Sequence, residues 1–252
     1  MSVRSETELY QEIERLRAAL GAREREAAEK EQQLERYAAD LRETFKRERA
    51  RAQELQRSYT ATVSALSNAV EARDAYTGQH AERVAAYGIQ IARAVGLPDA
   101  EMPRLEFGFL LHDIGKVAIP DAILYKPDAL TGEERTLMQQ HPLIGAEIVG
   151  RVEFLSGAIE VVRSHHERWD GRGYPDGLAG EGIPLAARVF AVADVLDALT
   201  TNRPYRPAST FAAARAMITA ESGRQFDPTV VEAFNSLEDQ VFERIAEQMG
   251  SE

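Results

Sequence analysis

An all-α fold, a helical bundle preceded by one long helix, is predicted for this chain by three features of its sequence. No segment carries the apolar/polar alternation of a half-buried strand. From Ser67 to about Leu237, Gly and Pro punctuate apolar-rich stretches that read as helices. From about Ser5 to Leu66, by contrast, there is no Pro and one Gly, and the residues are mostly Glu, Arg, Ala, Gln and Leu, all good helix formers.

The long helix comes first. Leu9, Ile13, Leu16 and Leu20 alternate spacings of four and three, Ala27, Leu34 and Leu41 continue at seven, and Phe45, Ala52, Leu55, Tyr59 and Leu66 carry the seam onward. This is an a/d heptad stripe between charged flanks. A helix of about 60 residues reaches roughly 90 Å, and so narrow a stripe cannot bury itself. A parallel dimeric coiled coil over residues 1–66 is therefore expected, with a globular domain over 67–252. Glu24, Glu31 and Glu48 interrupt the seam and Gly21 weakens it, which leaves a solvated single helix held by Glu/Arg pairs as the alternative.

The globular elements follow in order. SNAVEARDAYTGQHAERVAAYGIQIARAVGL reads as two helical stretches around a Thr77–Gly78 break, ended by Gly96 and Pro98. EMPRLEFGFLLHDIGK reads as the next helix, and VAIPDAILYKPDAL, with Pro120 and Pro127, as an extended crossing. TGEERTLMQQHPLIGAEIVG opens with a Thr131 cap and Glu134 three residues later, a capping box. SGAIEVVRSHHERW reads as a helix, DGRGYPDGLAGEGIP as a loop, and PLAARVFAVADVLDALT and ASTFAAARAMITAES as two more helices. In FDPTVVEAFNSLEDQVFERIAEQM, Asp227 caps a helix that starts at Pro228.

Composition narrows the function. An apolar content of 44% supports a real core. The net charge of −11 argues against sequence-independent binding to a nucleic-acid polymer, whereas a small anionic ligand needs only a local basic pocket. With no cysteine there is no disulfide, thiolate zinc site or cysteine nucleophile, so any metal rests on N and O ligands. The charged start, MSVRSETELYQEIERL, is not a signal peptide, and no apolar run reaches membrane-spanning length. A cytoplasmic protein without membrane contact is expected.

The five histidines, His80, His112, His141, His165 and His166, all lie beside helical stretches of the globular part. Singly, each reads as a satisfied core residue. Taken with Asp113 and Asp194, they could supply two octahedral metals sharing a bridging carboxylate and a bridging hydroxide, an arrangement suited to phosphoester hydrolysis.

The blocks DAYTGQH, HDIGK, His141-Pro142, HHERWDGRGYP and RPYR, the last behind ADVLDALTTN, stand in that order. Together they resemble the HD-GYP domain, the branch of the HD phosphohydrolase superfamily associated with cyclic di-GMP hydrolysis, from about Ala69 to Phe234. The resemblance implies an HD-type helical bundle and a phosphodiesterase that converts cyclic di-GMP to linear pGpG through attack by a metal-activated hydroxide, and leaves a further step to GMP open. It places His80, His112, Asp113, His141, His165, His166 and Asp194 on metal-ligand positions, with Asp113 as the bridge between two divalent cations. Iron or manganese is implied, and nickel and magnesium stay open.

Further roles are implied by the same resemblance. Lys116 falls where the family's Lys approaches the nucleophile or the scissile phosphate, which makes Asp113 and Lys116 the expected catalytic pair. Gly173, Tyr174, Asp197, Arg203 and Arg206 fall on substrate-binding positions. The alternatives are an exposed helix Lys, a plain turn and surface ion pairs. Some members carry a Glu one turn before the first His and hold a third metal. Here that position is Tyr76, and Asp74 is off that helical face, so two metals are expected. The resemblance also leaves open a nucleotide-binding module, and a module whose GYP loop docks onto a diguanylate cyclase. The coiled coil then reads either as a constitutive dimeriser or as the receiver of input from a partner such as an upstream sensor.

Overall fold

The computed structural model describes residues 6–73, 79–202 and 206–250. Among these, the chain forms α-helices and short 3-10 turns, with no β-strand. The expected Thr77–Gly78 break, Asp74, Tyr76 and Arg203 lie outside the described residues.

Helix α1 spans Glu6–Glu71 without a break at Gly21. Exposed pairs one turn apart, Arg17–Glu14, Lys30–Glu26 and Arg51–Glu48, add to its helix propensity. Within one chain the seam faces solvent: Leu16, Leu34 and Phe45 are 60%, 67% and 69% exposed. The chain divides into two compact units, Met1–Ser58 and Tyr59–Glu252, so the expected boundary after residue 66 moves toward the N-terminus. The reason is packing. Tyr59 stacks on Phe154 with ring centroids 4.3 Å apart, and Val63, Ser67 and Glu71 are buried, so the last part of α1 belongs to the globular core.

In the globular unit, α2 (His80–Val95) ends at Gly96 with φ 94°, the left-handed cap that its Gly-x-Pro sequence predicts. It packs against α3 (Met102–Leu110) and, later in the chain, α8 (Leu185–Thr200). Val84, Ile91, Phe109, Val161, Val189 and Phe190 form the centre of the core between them.

Three expected helices are shorter than the sequence suggests. Helix α3 stops at Leu110, and a 3-10 turn, Ile114–Ala118, follows His112 and Asp113. Gly115 explains the break: a Cβ there would stand 1.9 Å from the His141 carbonyl oxygen, so two stretches of backbone meet where only glycine fits. The expected extended crossing contains α4 (Asp121–Leu124), which starts after Pro120. The Thr131/Glu134 capping box opens α5 (Gly132–Met138), which is separate from α6 (His141–Gly150) because Pro142 has no N–H to offer the Met138 carbonyl. Helix α7 (Ile159–Ser164) ends just before His165 and His166. The loop between α7 and α8 is as expected. After it come α9 (Phe211–Ala220), α10 (Pro228–Asn235), with Asp227 accepting the Thr229 N–H, and α11 (Asp239–Gln248).

Candidate metal centre

The helix ends just described build the site. A terminated helix leaves carbonyls without intrahelical partners. At the ends of α3, α5 and α7 an imidazole takes one: Nδ1 of His112 donates to Phe109 O at 2.8 Å, Nδ1 of His141 to Met138 O at 2.8 Å, and Nδ1 of His165 to Val162 O at 2.9 Å. A carbonyl only accepts, so each Nδ1 carries the proton and each Nε2 of the neutral ring presents a lone pair. The three Nε2 atoms converge. His141 and His165 Nε2 lie 3.2 Å apart, acceptor against acceptor.

Asp113 stands between them. Its Oδ2 lies 3.1 Å from Nε2 of His112, and its Oδ1 lies 3.2 Å from Nε2 of His141 and 3.7 Å from Nε2 of His165. Oδ1 is buried and makes no hydrogen bond. Lone pairs facing a buried carboxylate oxygen repel unless a cation lies among them. Ligand atoms of Asp113, His141, His165 and His166 all fall within 4.8 Å of one another. The donor set and its orientation therefore fit a divalent cation.

His80 belongs to the other side of Asp113. Its Nε2 lies 3.4 Å from Oδ1 of Asp194, and its Nδ1 donates to Oδ2 of Asp197 at 2.7 Å. Asp197 also receives Arg83, Nε to Oδ1 at 2.6 Å and Nη2 to Oδ2 at 3.2 Å. Asp197 is 2% exposed, and its two oxygens are engaged by His80 and Arg83, so it orients the His80 imidazole from behind. His80, His112, Asp113, His165, His166 and Asp194 line one cavity, and Nε2 of His141 stands 3.2 Å from Oδ1 of Asp113.

The electrostatics follow from burial and neighbours. Burial pushes the pKa of His165 down, and burial together with His165 and His141 holds that of His166 well below the imidazole range. Burial opposes charge on Asp113, but His112, where it takes up a second proton, and Lys116 beside it hold its carboxyl well below the usual carboxylate range. Burial also opposes charge on His80, yet Asp197 and Asp194 raise its pKa.

Lys116 reaches Oδ2 of Asp113 at 2.8 Å from the 3-10 turn. Arg73 braces that turn, donating to the Val117 carbonyl at 3.0 Å and the Ile119 carbonyl at 3.3 Å. The Tyr174 ring stacks on His166 with centroids 4.6 Å apart. Gly173 is needed for a reason other than access to a ligand: a Cβ would meet the backbone of residues 166–168 at 2.5 Å. Arg206 donates to the Ala198 carbonyl at the end of α8.

Two residues without an expected role also shape the site. Glu167 is buried and accepts the N–H groups of Asp176, Gly177 and Leu178 at 2.8, 3.0 and 3.0 Å, which fastens the loop carrying Tyr174. Glu71, at the end of α1, lines the cavity with His80, His112, Asp113, Lys116 and Asp194. The signal for Glu71 is the four-residue spacing of Val63, Ser67 and Glu71, a stripe that the heptad reading passes over.

Residues 64–230 match the family model of the HD domain. The chain is 46% identical over 174 residues to a cyclic di-GMP phosphodiesterase response regulator of Xanthomonas campestris, covering 68% of this chain and 46% of that protein. It is 44% identical over 169 residues to a 3'3'-cGAMP-specific phosphodiesterase of Vibrio cholerae, covering 66% of this chain and 32% of that protein. It therefore spans less than half the length of these relatives. A crystal structure of a cyclic GMP-AMP specific phosphodiesterase from V. cholerae shares the fold, with TM-score 0.57 and 22% identity over 74% of this chain and 52% of the other.

Proposed function

The chain belongs to the HD domain family, and from that premise we propose that it is a metal-dependent phosphodiesterase of the HD-GYP branch, hydrolysing cyclic di-GMP to linear pGpG or GMP. The observation that carries the reading is the single carboxylate of Asp113 facing imidazole lone pairs on both of its sides. His80, His112, Asp194 and Oδ2 of Asp113 would hold one divalent cation, and Oδ1 of Asp113 with His141, His165 and His166 the other, iron or manganese by their mixed N/O donors. Bound there, the pair supplies Lewis acidity and a hydroxide nucleophile at neutral pH.

The residues themselves do the rest. Glu71, Asp113 and Asp194 against Lys116 leave the cavity acidic, so an anionic phosphodiester enters only with the cations in place. Lys116 offers its ammonium group to the phosphoryl oxygens as negative charge develops on them. The cavity, about 240 Å³, is smaller than the ~300–1,000 Å³ of ordinary small-molecule pockets. It is sized for the reacting phosphodiester. Loss of hydrolysis in Asp113→Ala, or on chelation, is expected; an unchanged rate overturns the proposal.

A second reading keeps the site and changes the base. The 44% identity to a 3'3'-cGAMP-specific enzyme favours it. Parallel incubations with the two cyclic dinucleotides decide between them. The exposed seam of α1 supports a parallel homodimer, and a diguanylate cyclase or an upstream sensor is the partner class this reading assigns to the coiled coil and the GYP loop.

A further inference from the structure

We propose that Arg73 positions Lys116, by holding the carbonyls of the turn that carries it; the inference rests on the phosphodiesterase reading, in which Lys116 meets the phosphoryl oxygens. Lys116 stands in a 3-10 turn of five residues, Ile114–Ala118. From within, the turn is shaped by the Lys116 N–H on the Asp113 carbonyl at 2.9 Å and the Ile119 N–H on the Lys116 carbonyl at 3.0 Å. So short a helix holds itself weakly, because its bonds are poorly aligned and its last carbonyls have no partner inside it. Packing adds little at its middle, where Val117 is 50% exposed.

Arg73 supplies what the turn lacks. It follows the end of α1 at Glu71, and its Nη1 and Nη2 donate to the carbonyls of Val117 and Ile119. One planar group thereby joins the middle of the turn to its end. The accompanying ion pair with Asp121 at 2.6 Å contributes little of the hold, since the Asp121 side chain is 70% exposed. Earlier on α1, Ser67 Oγ donates to the Leu110 carbonyl at 2.6 Å. The segment that carries His112, Asp113 and Lys116 is therefore fastened to the end of α1 on both of its sides. On the side of Ser67, the buried Leu110 and Leu111 also anchor the chain in the core. On the side of Lys116, the exposed Val117 leaves more of the hold to Arg73. A donor displaced by about 1 Å loses up to ~10²-fold in rate, so a looser turn is felt at the phosphoryl group.

The test uses Arg73→Met, which keeps an apolar stem and removes the donors, with Asp121→Ala as the reference for the ion pair alone. Hydrogen exchange is followed on the full chain stripped with a chelator, and kcat and KM for cyclic di-GMP on the same variants loaded with Mn2+. In Arg73→Met the Lys116 and Ile119 amides are expected to exchange about tenfold faster, those of α8 unchanged, and kcat to fall about tenfold with KM and Mn2+ content within about twofold. Asp121→Ala should stay within about twofold of wild type on each measure. Added to Lys116→Met, the Arg73 substitution should cost nothing more, because the group it positions is gone. Wild-type exchange in Arg73→Met would overturn the proposal. So would a full further loss in the Lys116→Met background, which would place the effect elsewhere, or an equal loss in Asp121→Ala, which would place the hold in the ion pair. A loaded wild-type chain that does not hydrolyse cyclic di-GMP overturns the phosphodiesterase reading instead, and the exchange rates still decide whether Arg73 holds the turn.

Discussion

Lys116 and Asp113 are 2.8 Å apart, yet they answer different experiments. Asp113 holds the centre together, whereas Lys116 adds charge without an acceptor of its own for a cation. Lys116→Met is expected to lower the hydrolysis rate by about 10²–10³, with Mn2+ content unchanged, because a preorganised donor to the transition state has been removed. Parallel loss of metal would assign Lys116 to the scaffold. The imidazoles make a pH prediction. His165 and His166 have lowered pKa values, so below their ordinary value of 6.5 the unfolded chain binds protons that the folded chain refuses, and stability falls as pH falls. Asp113, with its lowered pKa, adds a loss in the same direction at more acid pH. His80 works the other way, its raised pKa contributing stability that is lost as pH rises. Because His166 is held well below the imidazole range, the chelated protein is expected to have a lower urea midpoint at about pH 5.5 than at about pH 7.5. A flat or rising midpoint would contradict this account of the site. The residues around Asp113 were legible as candidates because His and Asp announce themselves by type and by block. Asp197 was legible as a site residue but not in its role, since only packing shows that His80 and Arg83 occupy it.

At the scale of elements, the site is made by helices that stop. Phe109, Met138 and Val162 each give a last-turn carbonyl to an imidazole three residues on, and each stop aims an Nε2 inward. Apolar periodicity runs straight through two of these stops, which is why EMPRLEFGFLLHDIGK and SGAIEVVRSHHERW read as unbroken helices. The third, before His141-Pro142, carries a proline, yet TGEERTLMQQHPLIGAEIVG also reads as one segment. Where the signals are local the reading held: the Gly96 cap, the Thr131/Glu134 box and the Asp227 cap all stand. Where the cause is a contact distant in sequence, nothing in a window of residues announces it. Gly115 against the His141 carbonyl is the clearest case, and it yields a prediction. Gly115→Ala must push the Asp113 turn away from α6, at a cost of about 3 kcal/mol or more in urea unfolding, with loss of Mn2+ affinity. A neutral substitution would show that the two backbones need not meet.

For the whole molecule, the composition and motif blocks made the all-α bundle readable, whereas the boundary between units was not, because the heptad stripe and the core-facing stripe overlap at Tyr59. The exposed seam carries a prediction of its own. Sedimentation at micromolar concentration should give about twice the 28.0 kDa chain mass, and a monomer would remove the coiled coil from the account. No helix among the described residues is long and apolar enough to cross a membrane. The central claim is that two cations held about Asp113 hydrolyse a cyclic dinucleotide. Its most direct test is chromatographic product analysis with cyclic di-GMP, with metal content measured on the same preparation. The account predicts two divalent metals per chain and formation of linear pGpG or GMP; a metal-loaded chain that leaves cyclic di-GMP intact after prolonged incubation would contradict it.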